Sequence, residues 1–381
     1  MIKTSYIIFF IVIVLLNFKA AAQFMDTYTK GQFISGLTIN PEDPFQSQLG
    51  LQYFPSLLFN KKINDTYQFD WEFTLKTNAT YFWSNDSNDL NAQLKPYRGW
   101  VSFSGNQLDL RAGLHKINFG SASLLRPLMW FDKIDPRDPI QMTDGVHALL
   151  GRYYFLNNAN IWLWFLYGND ETKGWEIFPS GKEQSEMGGR IQMPLLTGEI
   201  AATYHYREGL FKGTYADTLS NRSGFSENRY AIDGKFDFKI GMWFETALIH
   251  QNLDFTNQRY QRLTNLGADY TFGIGNGLGI VAEYFTYKKT EEVFGKGEGV
   301  EFVAASINYP INLINNLQAI LYYDITNNDY YRFVNFSWTY DNWVIYVMGF
   351  WNPDNYQIYQ NMGNTNLFSG YGAQIMVVFN H

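Results

Sequence analysis

Apolar and polar residues alternate along most of this chain with a period of two. Tyr67, Phe69, Trp71, Phe73, Leu75, Ala79 and Tyr81 share one phase, and Gln68, Asp70, Glu72, Thr74, Lys76, Asn78 and Thr80 share the other. A two-residue period places successive side chains on opposite faces of a β-strand. Strands are predicted near 31–39, 47–59, 66–83, 93–104, 107–116, 146–156, 159–169, 186–193 and 198–207. They continue near 226–238, 241–253, 262–272, 277–288, 299–309, 316–326, 330–340, 342–351 and 368–379. Pro41, Pro44 and Pro55 interrupt the first two, because each removes a ladder donor.

The connections alternate as well. Tight turns are expected at Asn157-Asn158, Pro194 to Thr197, Lys239-Ile240, Gly273 to Asn276 and Asp341-Asn342, with long links at 117–145, 170–185, 208–225, 289–298 and 352–367. Asn327 to Asp329 breaks this rhythm by being short where a long link is due. Segments of about ten alternating residues joined by short and long links in turn are the mark of a transmembrane barrel. The chain is therefore expected to be all-β, an antiparallel transmembrane up-and-down β-barrel of about 18 strands, with 16 as the alternative count. Short turns would face the periplasm and long loops the exterior.

Phase also assigns the faces. Val334, Phe336, Trp338 and Tyr340 would meet lipid while Asn335, Ser337 and Thr339 meet water; Leu266, Ala268, Tyr270 and Phe272 oppose Asn265, Gly267, Asp269 and Thr271 in the same way. The polar series must face inward, since a cation on the lipid face costs about 2–4 kcal/mol at the bilayer midplane. By this logic Asp109, Arg111, His115, Arg152, Arg190, Glu199, His205, Arg207, Arg229, Asp233, Lys235, Asp237, Asp269 and Glu283 point into the lumen. Two readings follow from them: a field across a pore, or an ion-pair network that holds the barrel's shape.

Composition narrows the class. The chain is 18% aromatic and 17% charged, with 27 Tyr, 32 Phe and 11 Trp, which suits aromatic girdles around a polar interior. Lys3 followed by an apolar run from Tyr6 to Leu16 and then Ala20, Ala21 and Ala22 reads as a signal peptide over 1–22. Residues 23–381 are then the barrel, whose first strand begins too soon for the plug of an energised importer. No later stretch is apolar enough for a membrane helix. A net charge of −7 without a basic stripe argues against a nucleic-acid partner. There is no cysteine, no G-x-S-x-G elbow and no H-E-x-x-H helix, so no cofactor, metal or catalytic activity is expected.

One block departs from the alternation. The 117–145 link contains WFDKIDPRDP at 130–139, where Pro127, Pro136 and Pro139 forbid a ladder strand. With RAGLHKINFG at 111–120 and Gly145-Val146, this block resembles bacterial outer-membrane porin-like and alginate-export-type barrels. A long third loop of this kind folds into the lumen and narrows it. The resemblance implies that Arg126, Asp132, Lys133, Asp135, Arg137, Asp138 and Asp144 line a constriction, with Trp130 and Phe131 packing the loop on the wall. Together with Arg111, His115, Arg152, Arg190, Arg207 and Arg229 these are the candidate pore residues. The alternative for the loop is an external cap or docking surface held by its own Asp-Arg pairs.

Two functions fit: a channel for passive diffusion of small hydrophilic solutes in the outer membrane of a Gram-negative bacterium, or a non-transporting barrel within an envelope complex. The partners expected are outer-membrane lipid and the solutes, with a homo-oligomer or envelope partners left open. Tyr371, Ala373, Ile375, Val377 and Phe379 form a last strand similar to the recognition strand of outer-membrane proteins, although Asn380 and His381 follow the aromatic residue that usually ends it.

Overall fold

The computed structural model describes residues 27–85, 87–211, 224–354 and 367–381. The signal peptide read over 1–22 and much of the links at 208–225 and 352–367 lie outside the described residues. Eighteen strands follow one another: β1 Thr27–Asn40, β2 Gln46–Lys62, β3 Gln68–Ser84, β4 Asn88–Ser104, β5 Leu108–His115 and β6 Val146–Tyr154. Next come β7 Asn160–Tyr167, β8 Ser185–Leu195, β9 Gly198–Leu210, β10 Gly224–Asp237, β11 Gly241–Gln251 and β12 Tyr260–Phe272. The last six are β13 Leu278–Thr290, β14 Gly297–Pro310, β15 Asn315–Asp324, β16 Asp329–Tyr340, β17 Trp343–Trp351 and β18 Tyr371–Asn380. Each pairs antiparallel with its sequence neighbours, and β18 returns to β1 in a register running from Gln32↔Asn380 to Ile39↔Ala373. Closure leaves no free sheet edge, which is how a sheet satisfies its backbone where water is absent.

The links sort by end. At one end every link is two to five residues long, as at 196–197 and 341–342; at the other lie the two long loops of the lumen, 116–145 and 168–184. Asn158 and Asp341 take up φ of 65° and 48° in the short turns, a backbone region that Asn and Asp enter more readily than other non-glycine residues. The 325–328 link is short at the loop end, as its sequence indicated.

All strand bounds but one lie within four residues of the pattern reading. β4 begins at Asn88, where a link to residue 92 was expected, because its polar residues still pair with β3 from Trp83↔Asn88 onward. Pro55 sits inside β2, and the ladder accommodates it: pairing with β3 skips from Tyr53↔Thr77 to Ser56↔Thr74, level with a bulge at Thr74/Leu75 opposite Pro96 and Arg98. The β2–β3 register is the same on both sides of that gap, so the position of the missing donor is left unpaired, and the bulge belongs to the β3–β4 ladder.

Outward residues form an apolar band, with Phe33, Leu149, Leu163, Ile191, Ile232, Leu266, Val303, Val347 and Ile375 all exposed. Near the turn end it is rimmed by aromatic pairs: Tyr67 with Phe103, Tyr153 with Phe155, Tyr270 with Phe272, Phe336 with Trp338, and Trp343 with Phe379 at ring separations of 5.4, 4.9, 4.7, 4.4 and 4.5 Å. Toward the loop end Tyr81 stacks with Trp83, Tyr204 packs on Tyr230 and Tyr323 stacks on Tyr330. The largest buried cluster is inside the barrel. It joins inward side chains of β6, β7 and β10–β16 to Ile117, Phe119, Leu124, Leu125, Leu128, Trp130 and Phe131 of the β5–β6 loop.

Candidate functional site

The β5–β6 loop leaves the wall at His115 and turns inward. Its first contact with the far side is made by backbone rather than side chains. The Ala122 amide donates to Glu245 Oε1 of β11 at 2.7 Å, joined by the Ser121 amide. Glu283 of β13 accepts from the amides of Ser123, Leu124 and Leu125 at 2.7, 3.1 and 2.7 Å. Asn265 of β12 completes the clasp, donating to the Leu125 carbonyl at 2.7 Å and to Glu283 at 2.9 Å. Carboxylates accepting several backbone N–H groups make strong, charge-assisted bonds. The run Gly120-Ser-Ala-Ser suits this role because nothing bulky separates chain from carboxylate; Gly120, at φ 93°, lies so near Glu245 that a Cβ there would strike it.

The loop then packs down. Arg126 donates to both oxygens of the buried Asp132 at 2.6 and 3.2 Å and to the half-buried Asn118 at 2.6 Å. Phe119 stacks on Trp164 of β7, and Phe131 meets Trp164 and His205 edge-on. The Trp164 Nε1 proton goes to His205 Nδ1 at 3.2 Å, so Nε2 carries the other hydrogen and donates to Glu186 of β8 at 3.1 Å.

The β7–β8 loop, 168–184, also enters the lumen. Trp175 stacks on Phe285 and Tyr287 of β13 and donates to the Arg126 carbonyl at 2.8 Å. Gly174, at φ 44°, packs so closely on Met129 that a methyl group would overlap its carbonyl. Below it lies a bed of ion pairs: Glu176 accepts from Arg229 at 2.7 Å and lies 3.3 Å from Arg207; Glu227 meets both arginines at 2.6 Å; Lys173 reaches Glu186 at 2.6 Å. These charges are almost fully buried, so each depends on its partners.

Between the loop and the opposite wall a cavity of about 420 Å³ remains, lined by 133–142 on one side and by β1, β2 and β15–β18 on the other. Arg137 is held by Asp135, with its Nε at 2.7 Å, and its guanidinium lies 5.4 Å from the Phe333 ring centre. Asp138 accepts the Ile140 and Met142 amides at 3.0 and 3.3 Å, and burial pushes its carboxyl above the usual carboxylate range. Lys133 reaches Thr172 Oγ1 at 2.9 Å; burial draws its amine below the usual range. Ile140 and Met142 anchor this stretch on Ile34, Phe54, Met376 and Val378. The loop returns through Arg98, which donates to the Thr143 carbonyl at 2.8 Å, and through a Lys95–Asp144 pair at 2.8 Å in a second cavity of about 320 Å³.

The candidate residues thus occupy different places. Lys133, Asp135, Arg137 and Asp138 line the larger cavity. Arg126 and Asp132 are the loop's internal clasp, and His115 is buried at its base, Nδ1 3.0 Å from the Gly113 carbonyl. Arg111 and Arg152 lie on the wall, stacked on Trp100 and Trp162 at 4.4 and 4.0 Å, with Arg152 3.5 Å from Asp109. Arg190 is locked to Asp233 at 2.6 and 2.7 Å, and Arg207 and Arg229 belong to the bed under the β7–β8 loop. The pattern reading did not single out Glu245, the inward turn of the β7–β8 loop, or the amides Gln48, Gln52, Gln318 and Gln374 that share the cavity.

No family model and no curated protein matches this chain. Among solved structures it is similar to OmpF of Salmonella typhi in complex with daunomycin, at 10% identity and a TM-score of 0.51 over 94% of this chain and 98% of that one. It is also similar to OccAB1 of Acinetobacter baumannii, at 8% identity and a TM-score of 0.54 over 93% and 96% of the two chains. The fold is thus that of outer-membrane porin-type barrels. The narrower resemblance to alginate-export-type channels rests on the sequence block at 111–146 alone.

Proposed function

We propose that the chain is a passive channel of a Gram-negative outer membrane, not an enzyme, through which small hydrophilic solutes diffuse past the β5–β6 loop. The observation that carries this reading is the cavity between residues 133–142 and the β15–β2 wall, within a closed barrel whose outer face is apolar and rimmed by aromatic residues at both ends. A band of that kind matches the hydrocarbon and its two interfaces. Barrels of 16–18 strands are wide enough for an aqueous lumen, and this one is narrowed by its own loop. The short turns would then face the periplasm and the long loops the exterior, with residues 1–22 removed on export.

Purified protein in planar bilayers should open in stable conductance steps, and Arg137→Ala, which frees Asp135, should move the reversal potential toward cation preference. A folded barrel that conducts nothing contradicts the proposal. The filling of the lumen near β7–β13 favours one other reading, a non-conducting barrel that scaffolds an envelope complex. Stoichiometric partners that co-purify in mild detergent, together with absent conductance, would favour it.

A further inference from the structure

Five side-chain amides face the larger cavity from its wall: Gln48 and Gln52 of β2, Gln318 of β15, Asn335 of β16 and Gln374 of β18. None of them bonds another protein group among the described residues, and Gln52 Oε1 and Asn335 Oδ1 are wholly buried without a partner. This is unusual, because buried polar atoms in folded proteins are nearly always hydrogen-bonded. The facing loop carries two cations and two anions, but these are engaged: Arg137 with Asp135, Asp138 with backbone amides, Lys133 with Thr172. Interleaved with the amides are apolar surfaces of Ile34, Ile320, Phe333, Met348, Phe350 and Met376.

We infer that this cavity is a binding site for a neutral polyhydroxylated solute of the saccharide class. An amide offers a donor and an acceptor on one group, as a hydroxyl does, so a cluster of free amides matches a cluster of hydroxyls. A sugar ring also has an apolar C–H face that the methionines and phenylalanines can cover. A charged solute gains little here: the wall has no counter-charge, and each of the loop's charges already has a partner. The volume falls within the about 300–1,000 Å³ typical of small-molecule sites. The inference rests on the channel reading only for how the solute arrives; binding itself is measurable without transport.

The test uses the folded full-length barrel in detergent, with glucose, glucuronate and glucosamine as pyranose ligands of similar size and three charges, observed by saturation-transfer NMR. Glucose should give the strongest signal. Gln48→Leu and Gln318→Leu, checked for heat-modifiable gel mobility as evidence of folding, should each weaken glucose binding about three- to tenfold, the worth of one or two hydrogen bonds. Equal signals from the three ligands overturn the inference, and that comparison needs no variant. So does glucose binding unaltered in both variants. Glucose binding without bilayer conductance would leave this inference standing and remove the channel; conductance without glucose binding would do the reverse.

Discussion

The two sides of the lumen are built on opposite principles. Toward β7–β13 the charged groups are mostly paired: two loops fill the space, Glu245 and Glu283 hold backbone amides, and Arg207 and Arg229 share Glu176 and Glu227. Toward β15–β2 the wall is uncharged, its amides are free, and a cavity remains. The contrast separates two uses of inward polarity. Paired charge fixes the position of the loops, and on the proposed reading the unpaired neutral groups are left for a solute. An inward-facing arginine in a barrel is therefore no sign by itself of a pore lining.

The largest effect should come from the committed side. Arg207→Met takes one of the two arginines shared by the buried Glu176 and Glu227 and should destabilise the barrel by about 3–5 kcal/mol, read as a lower urea midpoint in lipid vesicles; an unchanged midpoint would dissolve the contrast. Glu283→Ala leaves the Ser123, Leu124 and Leu125 amides without their acceptor. At about 1 kcal/mol or more for each stranded donor, it should cost about 3 kcal/mol and expose residues 121–145 to protease; a loop still protected would mean the carboxylate clasp is not what seats it.

A third effect tests the cavity's charge balance. Burial raises the Asp138 carboxyl, so its neutral form is favoured in the fold: that contribution to stability is present at low pH and lost as pH rises through the raised value. Protonating Asp138 leaves Lys133 and Arg137 facing Asp135 alone, and the reversal potential in a salt gradient should move toward anion preference as pH falls through the raised value. Asp138→Asn should abolish that movement, and a variant that keeps it would assign the titration elsewhere. The smallest effect belongs to the open wall. Gln318→Leu should change stability by less than about 0.5 kcal/mol, because the amide supports no other group; a loss comparable to that of Arg207→Met would show a committed wall on both sides.

Much of the barrel was legible in the sequence, since a strand with two solvents writes its phase into the residues themselves. Val334 to Tyr340 and Tyr371 to Phe379 showed both the strand and its outer face. Pro55 was harder to place because what admits it, a two-residue gap in the pairing of β2 with β3, is set by the neighbouring strand. The loops were legible only in part. WFDKIDPRDP marked a departure from the ladder, but its seat is made by the backbone of Gly120 to Leu125, and backbone amides leave no side-chain signature. Glu283 was readable as inward, yet its partners lie about 160 residues earlier. Glu176 and Arg229 likewise meet across 53 residues, a distance no local pattern spans.

The central claim, that the passage runs along β15–β2 and not along β7–β13, has a direct test, helped by the absence of cysteine from the chain. Single cysteines at Gln318, on the cavity, and at Ala247 of β11, buried beneath the loops, are exposed to a charged methanethiosulfonate reagent during single-channel recording. Modification at Gln318→Cys should step the conductance down while Ala247→Cys is left untouched. A block through Ala247→Cys with none through Gln318→Cys would place the passage on the other side.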